Sequence, residues 1–278
     1  MKTILSSIRV AACILGCSLM VSSCFFVYKG GKTDSISEGE GSFVQGSGKT
    51  VSERRDLPAF KSLIVDGAID LKFIQDAKES TPVLSITCPE EDLPLIKTTV
   101  TPDGTLHIRK EDSRRHSNVA IGMHSNVTIR RDGIKMELRA PELYSVIFNG
   151  SGDFEASEFT TSRLDLCLNG SGDFDIDGLT VEGNLDMEVN GSGDIAIDGL
   201  SVRGNVKAEV IGSGDIDLSG LEAAKVTSTV VGSGDITLAG KTGTADLKVS
   251  GSGSIEARSL EYSSIDTAVS GSGSIRKK

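Results

Sequence analysis

The chain has no tryptophan, and only three tyrosines and three histidines among its 278 residues. With aromatics this scarce, no platform is evident on which bases or sugar rings would stack. The five cysteines form no Cys-x-x-Cys pair and no cysteine–histidine spacing of a zinc centre, so neither a metal nor a cofactor is expected. Helical periodicity is missing after the first two dozen residues. The longest apolar stretch, Val10 to Val21 broken by Gly16 and Ser18, falls short of the ~20 residues that cross a bilayer. Positive charge is also in deficit: the net charge is −10. The imbalance sits in residues 143–278, with 10 basic against 21 acidic side chains, whereas residues 24–142 carry 17 against 18. So acidic a chain repels phosphate backbones, and nucleic acid is not an expected partner.

The first residues carry an address. Lys2 and Arg9 precede the short apolar stretch, and Val21-Ser22-Ser23-Cys24 closes it. A basic start, an apolar middle and small residues at the end are the pattern of a cleaved secretory signal. This segment resembles bacterial lipoprotein signals, in which the cysteine after the cut receives the lipid. Residues 1–23 are therefore expected to leave, and Cys24 to anchor the chain to a membrane, each buried methylene adding ~0.8 kcal/mol. Residues 24–50, rich in Gly, Ser and acids, read as a flexible tether. With Cys13 and Cys17 gone and Cys24 acylated, Cys88 and Cys167 are expected as two separate free thiols, one or both buried, rather than as a disulfide.

From Val51 the pattern becomes that of strands. Leu63 and Val65, then Ile69, Leu71 and Phe73, alternate with polar residues across the turn signal Asp66-Gly67. Val83, Leu84 and Ile86 continue it, as do Leu106 and Ile108. Asp132-Gly133, between Val127 and Ile129 on one side and Ile134, Met136 and Leu138 on the other, predicts a hairpin. Pro89 to Ile96 has room for one helical turn. Residues 51–142 are thus expected to be a β-strand and hairpin portion preceding the repeats in 143–278.

Those repeats dominate the chain. Gly-Ser-Gly recurs at Gly150/Gly152, Gly170/Gly172, Gly191/Gly193, Gly212/Gly214, Gly232/Gly234, Gly251/Gly253 and Gly271/Gly273, every 19 to 21 residues. Asp follows the first five (Asp153, Asp173, Asp194, Asp215, Asp235) and Ser254 and Ser274 the last two. A core residue comes next each time: Phe154, Phe174, then Ile195, Ile216, Ile236, Ile255 and Ile275. Within one unit Ile195, Ile197, Leu200, Val202, Val206 and Val210 are the inward candidates, divided by Gly199 and Gly204. One coil cannot close its own backbone hydrogen bonds, but stacked coils can, at ~4.8 Å per rung. A propeller blade needs ~40 residues, twice what is available. The fold class is therefore all-β: a parallel β-helix or solenoid with coils of about twenty residues and glycine corners.

The repeated Asp suggests calcium, but each corner offers a single carboxylate where the ion takes 6–8 oxygens. Asp groups ~4.8 Å apart repel by ~0.9 kcal/mol per pair in water, which turn amides offset. A turn-forming role is the stronger reading. Asp173, Asp175 and Asp177, and Asp186 with Glu188, invite a glycoside-cleaving pair, yet acids at period two are what a solvated sheet face shows. No rung stands out as an active site, and the chain is not expected to be an enzyme. Gly46-Ser47-Gly48-Lys49-Thr50 lacks the earlier glycine of a phosphate loop, Phe43 standing in its place. The Asn-Gly-Ser triplets at Asn149, Asn169 and Asn190 read as turn residues rather than glycosylation sites. A basic stretch, Arg109, Lys110, Arg114, Arg115, Arg130, Arg131, Lys135 and Arg139, brackets His116 and His124. It reads as a solvated loop and hairpin, with a contact for anionic glycans or headgroups as the functional alternative.

The run from Val51 through Pro58, Phe60 and Val65 to Gly67, together with the serial Asn-Gly-Ser-Gly-Asp motif, resembles the auto-transporter adhesins with a head GIN domain. The likeness covers about residues 50–276. It implies a right-handed β-helix, a role in cell adhesion and an outer-membrane lipoprotein on either membrane face, and it transfers no catalytic residue. The expected partners are the membrane through the lipid and a glycan or protein ligand, with a homo-oligomer as an assembly alternative. A polysaccharide-acting β-helix enzyme and a purely structural envelope protein are the competing functions.

Overall fold

The computed structural model describes residues 49–78, 81–111 and 133–278. They belong to one compact unit, Lys49–Lys278. Strands make up nearly all of it, and the sole helical element among the described residues is a 3-10 turn at Leu93–Leu95, inside the stretch where one turn was expected.

The strands fall into three columns. In the first, β2 (Ser62–Asp66), β8 (Ser145–Gly150), β11 (Leu164–Gly170) and β14 (Leu185–Gly191) stack in parallel register. The second stacks β3 (Ile69–Gln75), β9 (Phe154–Ala156), β12 (Phe174–Ile176) and β15 (Ile195–Ile197). The third begins with β10 (Phe159–Thr161) and β13 (Leu179–Val181). From there the chain rounds the corners as longer strands: β16 (Leu200–Gly212), β17 (Ile216–Gly232), β18 (Asp235–Gly251) and β19 (Ser254–Gly271). The last strand, β20 (Ser274–Lys277), pairs with the start of β19. This is the all-β solenoid that the repeat predicted.

The N-terminal part departs from sequence order. β6 (Thr105–Lys110) joins the first column beyond β2, and β7 (Ile134–Ala140) the second column beyond β3. The coil formed by β2 and β3 is thus held between one made of β6 and β7 and one made of β8 and β9. β5 (Ile96–Val100) runs antiparallel to β6, and β4 (Val83–Pro89) lies antiparallel between β7 and β1 (Thr50–Asp56). Asp66-Gly67 is a turn, but it joins two columns of one coil rather than two strands of a hairpin. The Asp132-Gly133 hairpin rests on residues 127–132, outside the described residues. Arg114, Arg115, Arg130 and Arg131 of the basic stretch, with His116 and His124, also lie outside the described residues.

Alternation decides what lies inside. All six inward candidates of the Ile195 unit are buried, at 0 to 3% exposure. In the early coils phenylalanines fill the axis: Phe148 meets Phe174 edge-on at 5.2 Å, and Phe73 meets Phe159 at 5.3 Å. In later coils isoleucine takes the same place, Phe174 being in register with Ile195 and Ile195 with Ile216. Burying each such side chain contributes roughly 1.5–3 kcal/mol. Cys88 and Cys167 are both buried and not joined in a disulfide. Burial, with a smaller push from Asp92, raises the Cys88 thiol above its ordinary pKa.

Candidate functional surfaces

The Gly-Ser-Gly units form one corner line between the first and second columns. Gly212 shows why glycine is required there. Its φ is +134°, and a Cβ would clash with the Gly191 carbonyl oxygen directly below. Gly214, two residues on, has its floor on the carbonyl of Gly193, with the Val189 Cγ1 2.9 Å from where a Cβ would be. The same stacking runs from Gly67 through Gly150, Gly170, Gly191, Gly212, Gly232 and Gly251 to Gly271, and in parallel from Gly152 through Gly172, Gly193, Gly214, Gly234 and Gly253 to Gly273. Backbone amides cross the same line: the Ser213 N–H donates to the Gly191 carbonyl at 2.8 Å and that of Ser233 to Gly212 at 2.8 Å.

Beside this corner the Asp column is a hydrogen-bond ladder. The carboxylate of Asp153 accepts the N–H of Asp173 (3.0 Å), Asp173 that of Asp194 (3.1 Å), Asp194 that of Asp215 (2.8 Å) and Asp215 that of Asp235 (2.7 Å). Asp235 ends the ladder by accepting both the N–H (2.7 Å) and hydroxyl (2.8 Å) of Ser254. One oxygen of each acid is thus committed to the coil above, which offsets the mutual repulsion of stacked charges. That repulsion still registers: burial, then the charges of Asp194, Asp235 and Asp217, raise the Asp215 carboxyl above the usual carboxylate range. On the other side of the corner, the Asn149 amide donates to Asp66 (2.7 Å), Asn169 to Asn149 (2.9 Å) and Asn190 to Asn169 (3.0 Å). The Asn-Gly-Ser triplets are built into this ladder.

The outward face of the second column is rich in acids. Glu155, Asp175 and Asp177 border a small cavity of about 70 Å³ shared with Lys72. On the first column Asp186 stands in register between Asp165 and Lys207, exposed on the outward face, and desolvation by its neighbours raises its pKa against the pull of Lys207. Among the described residues no group of three or more His, Cys, Asp or Glu side chains is placed to hold a metal ion.

A different surface lies on the N-terminal coils. Across the antiparallel β5–β6 pair Lys97 stands opposite Arg109, and Thr99 opposite His107. Across the parallel β6–β2 pair Arg109 is beside Asp66 and His107 beside Ile64. Asp66, Lys97, Thr99, Thr101, His107 and Arg109 line a cavity of about 260 Å³. The sequence marked Arg109 as basic but gave no reason to join it to Lys97, twelve positions away, because that contact depends on strand pairing. Cys24 lies outside the described residues.

A family model described as "Putative auto-transporter adhesin, head GIN domain" matches residues 59–238 and 188–277. The crystal structure of a "putative adhesin" from Bacteroides fragilis NCTC 9343 is similar, with a TM-score of 0.67 and 25% identity over 84% of this chain and 100% of that one. A "putative lipid binding protein" from Parabacteroides distasonis ATCC 8503 gives a TM-score of 0.62 at 22% identity, covering 84% and 98% of the two chains. An adhesin so described from Parabacteroides merdae ATCC 43184 gives 0.55 at 18% identity, again over 84% and 98%. No curated protein matches the chain.

Proposed function

Since the chain belongs to the auto-transporter adhesin, head GIN domain family, we propose that it is a lipid-anchored envelope protein whose solenoid binds a glycan or protein without catalysing a reaction. In this reading residues 1–23 are removed, Cys24 is acylated at the outer membrane, and residues 24–50 tether the coils. The observation that supports it is the repetition of one surface. The same glycine corner and the same Asp-to-amide bond recur in coil after coil, a surface suited to a long ligand held by many weak contacts. Multiple weak contacts of this kind add up through effective concentration.

The test is a screen of the full chain against cell-wall and host glycans and envelope proteins. A hit should survive replacement of any single ladder Asp and weaken when several outward acids, such as Glu155, Asp175 and Asp217, are replaced together. Cleavage of a purified polysaccharide would transfer the assignment to the enzyme reading. A second reading, assembly with another copy, is favoured by the last coil: Val269 is 48% exposed, and no strand among the described residues pairs with the outer side of β20. The molecular mass in solution separates this from a monomeric binder.

A further inference from the structure

Beyond the repeated faces, we propose that the cavity between β5, β6 and β2 binds a phosphate ester carrying a nearby ammonium group, of the phosphoethanolamine type. The inference begins with an electrostatic debt in the register. Lys97 and Arg109 are directly opposite each other on an antiparallel pair, an arrangement that destabilises the sheet when the charges are alike. Among the described residues their counter-charge is one carboxylate, Glu111, shared at 4.0 Å from the Lys97 Nζ and 3.5 Å from the Arg109 guanidinium, while the Lys97 Nζ also donates to the Pro94 carbonyl at 3.0 Å. Both carboxylate distances exceed those of a charge-assisted hydrogen bond. Asp66 is Arg109's neighbour in the β2–β6 register, but its carboxylate takes the Asn149 amide at 2.7 Å.

Two cations therefore face a cavity of about 260 Å³ with His107 and the Thr99 side chain beside them, in a chain of net charge −10. Their side chains are 46% and 61% exposed, so an incoming ligand reaches them. A phosphate group supplies what the site lacks: a guanidinium takes two of its oxygens side by side and an ammonium a third. Asp66 on the rim disfavours a bare anion and favours one whose positive group lies a few bonds away. Such a ligand places its phosphate on Lys97, Arg109 and His107 and its ammonium toward Asp66. The shared chemistry admits a lipid headgroup or a headgroup-modified glycan.

The experiment titrates the full chain with O-phosphoethanolamine, inorganic phosphate and ethanolamine at low ionic strength, by calorimetry. Phosphoethanolamine is expected to bind at least about tenfold more tightly than either fragment. Arg109→Ala and, separately, Lys97→Gln should each weaken it about tenfold or more, in proteins with unchanged far-UV circular dichroism. Asp66→Asn, which keeps an oxygen for Asn149, should bring phosphoethanolamine down to the affinity of phosphate. Co-flotation with phosphatidylethanolamine vesicles that soluble phosphoethanolamine competes away identifies a lipid source; soluble binding without flotation identifies a glycan-borne or free ester. Absence of saturable binding, binding unchanged in Arg109→Ala, or equal affinity for phosphate and phosphoethanolamine overturns the proposal. None of these results bears on the repeated faces, whose ligand is tested separately.

Discussion

Replacing Gly212 with alanine tests the stacked corner most directly. The residue has φ +134°, in a region occupied almost only by glycine, so any side chain there costs about 1–3 kcal/mol in backbone strain. Its new Cβ would also meet the Gly191 carbonyl, and relieving that contact forces two coils apart. Overpacking of this kind costs a further ~1–3 kcal/mol. Gly67 is the control. It occupies the same corner line and also has positive φ (+114°), but a Cβ there meets nothing within 4 Å. Gly67→Ala should therefore lose only the strain. The predicted difference between the two variants is about 1–3 kcal/mol, measured by urea unfolding of the full chain with circular dichroism. It is large beside a total of about 5–15 kcal/mol for a domain. Equal losses in the two variants would refute the claim that the corner is glycine because coils touch there.

Other positions give independent checks. Ser228 is fully buried between Ala208 and Leu247 in register, and its hydroxyl has no hydrogen-bond partner. Ser228→Ala should stabilise the protein by about 1 kcal/mol or more, the cost of desolvating that hydroxyl, seen as a higher urea midpoint at unchanged slope. Asp215→Asn keeps an acceptor for the Asp235 amide and removes a charge that burial and neighbouring acids disfavour. Because the folded pKa is raised, the wild-type acid favours folding below the ordinary value of ~3.9 and loses that advantage as it ionises. The variant should thus melt higher than wild type at pH 7 and equal to it near pH 3, and a lower Tm at pH 7 would refute a net penalty on the Asp215 charge. The Tyr144 hydroxyl donates to Glu142 at 2.8 Å and, with Lys61, holds that carboxyl below the usual range. Tyr144→Phe should cost under about 1 kcal/mol at neutral pH, since the group is exposed. The gap should close as pH falls below ~4.3 through the lowered folded value, which a stability series from pH 6 to 3 reads out.

The repeats were legible because a coil writes its geometry into sequence at a fixed interval. The glycine pairs, the following acid and the next core residue recur together since each touches its own copy one rung away, as Gly212 touches Gly191 and Asp215 receives the Asp235 amide. Even the three-column section was foreshadowed, Gly199 and Gly204 falling between short apolar runs. The N-terminal coils were not legible in the same way. Their strands alternate correctly, but alternation identifies a strand and its inward face without naming its partner. Nothing in Ser62–Asp66 says that it lies between Thr105–Lys110 and Ser145–Gly150, pairings that span 43 and 83 residues of chain.

The same physics explains which sites sequence reasoning reaches. The Asp ladder is periodic, so the choice between turn-forming and calcium-binding acids could be argued from spacing, but the amide that each carboxylate accepts belongs to the next coil rather than to its own turn. The cavity at Lys97 belongs to the part of the fold where pairing is antiparallel and out of order. Lys97 opposes Arg109 because β5 and β6 fold back through Thr101 to Gly104, where the Thr101 carbonyl accepts the Gly104 N–H at 2.9 Å. A one-residue change in that turn would carry Lys97 to the inward face and the pair would vanish. A site made by register is invisible until register is known, whereas a site made by repetition is visible from the start. In this chain the two kinds occupy different portions: the coils carry the repeated surface, and the strands before them carry the cavity at Lys97 and Arg109, the natural place to seek a small, specific ligand.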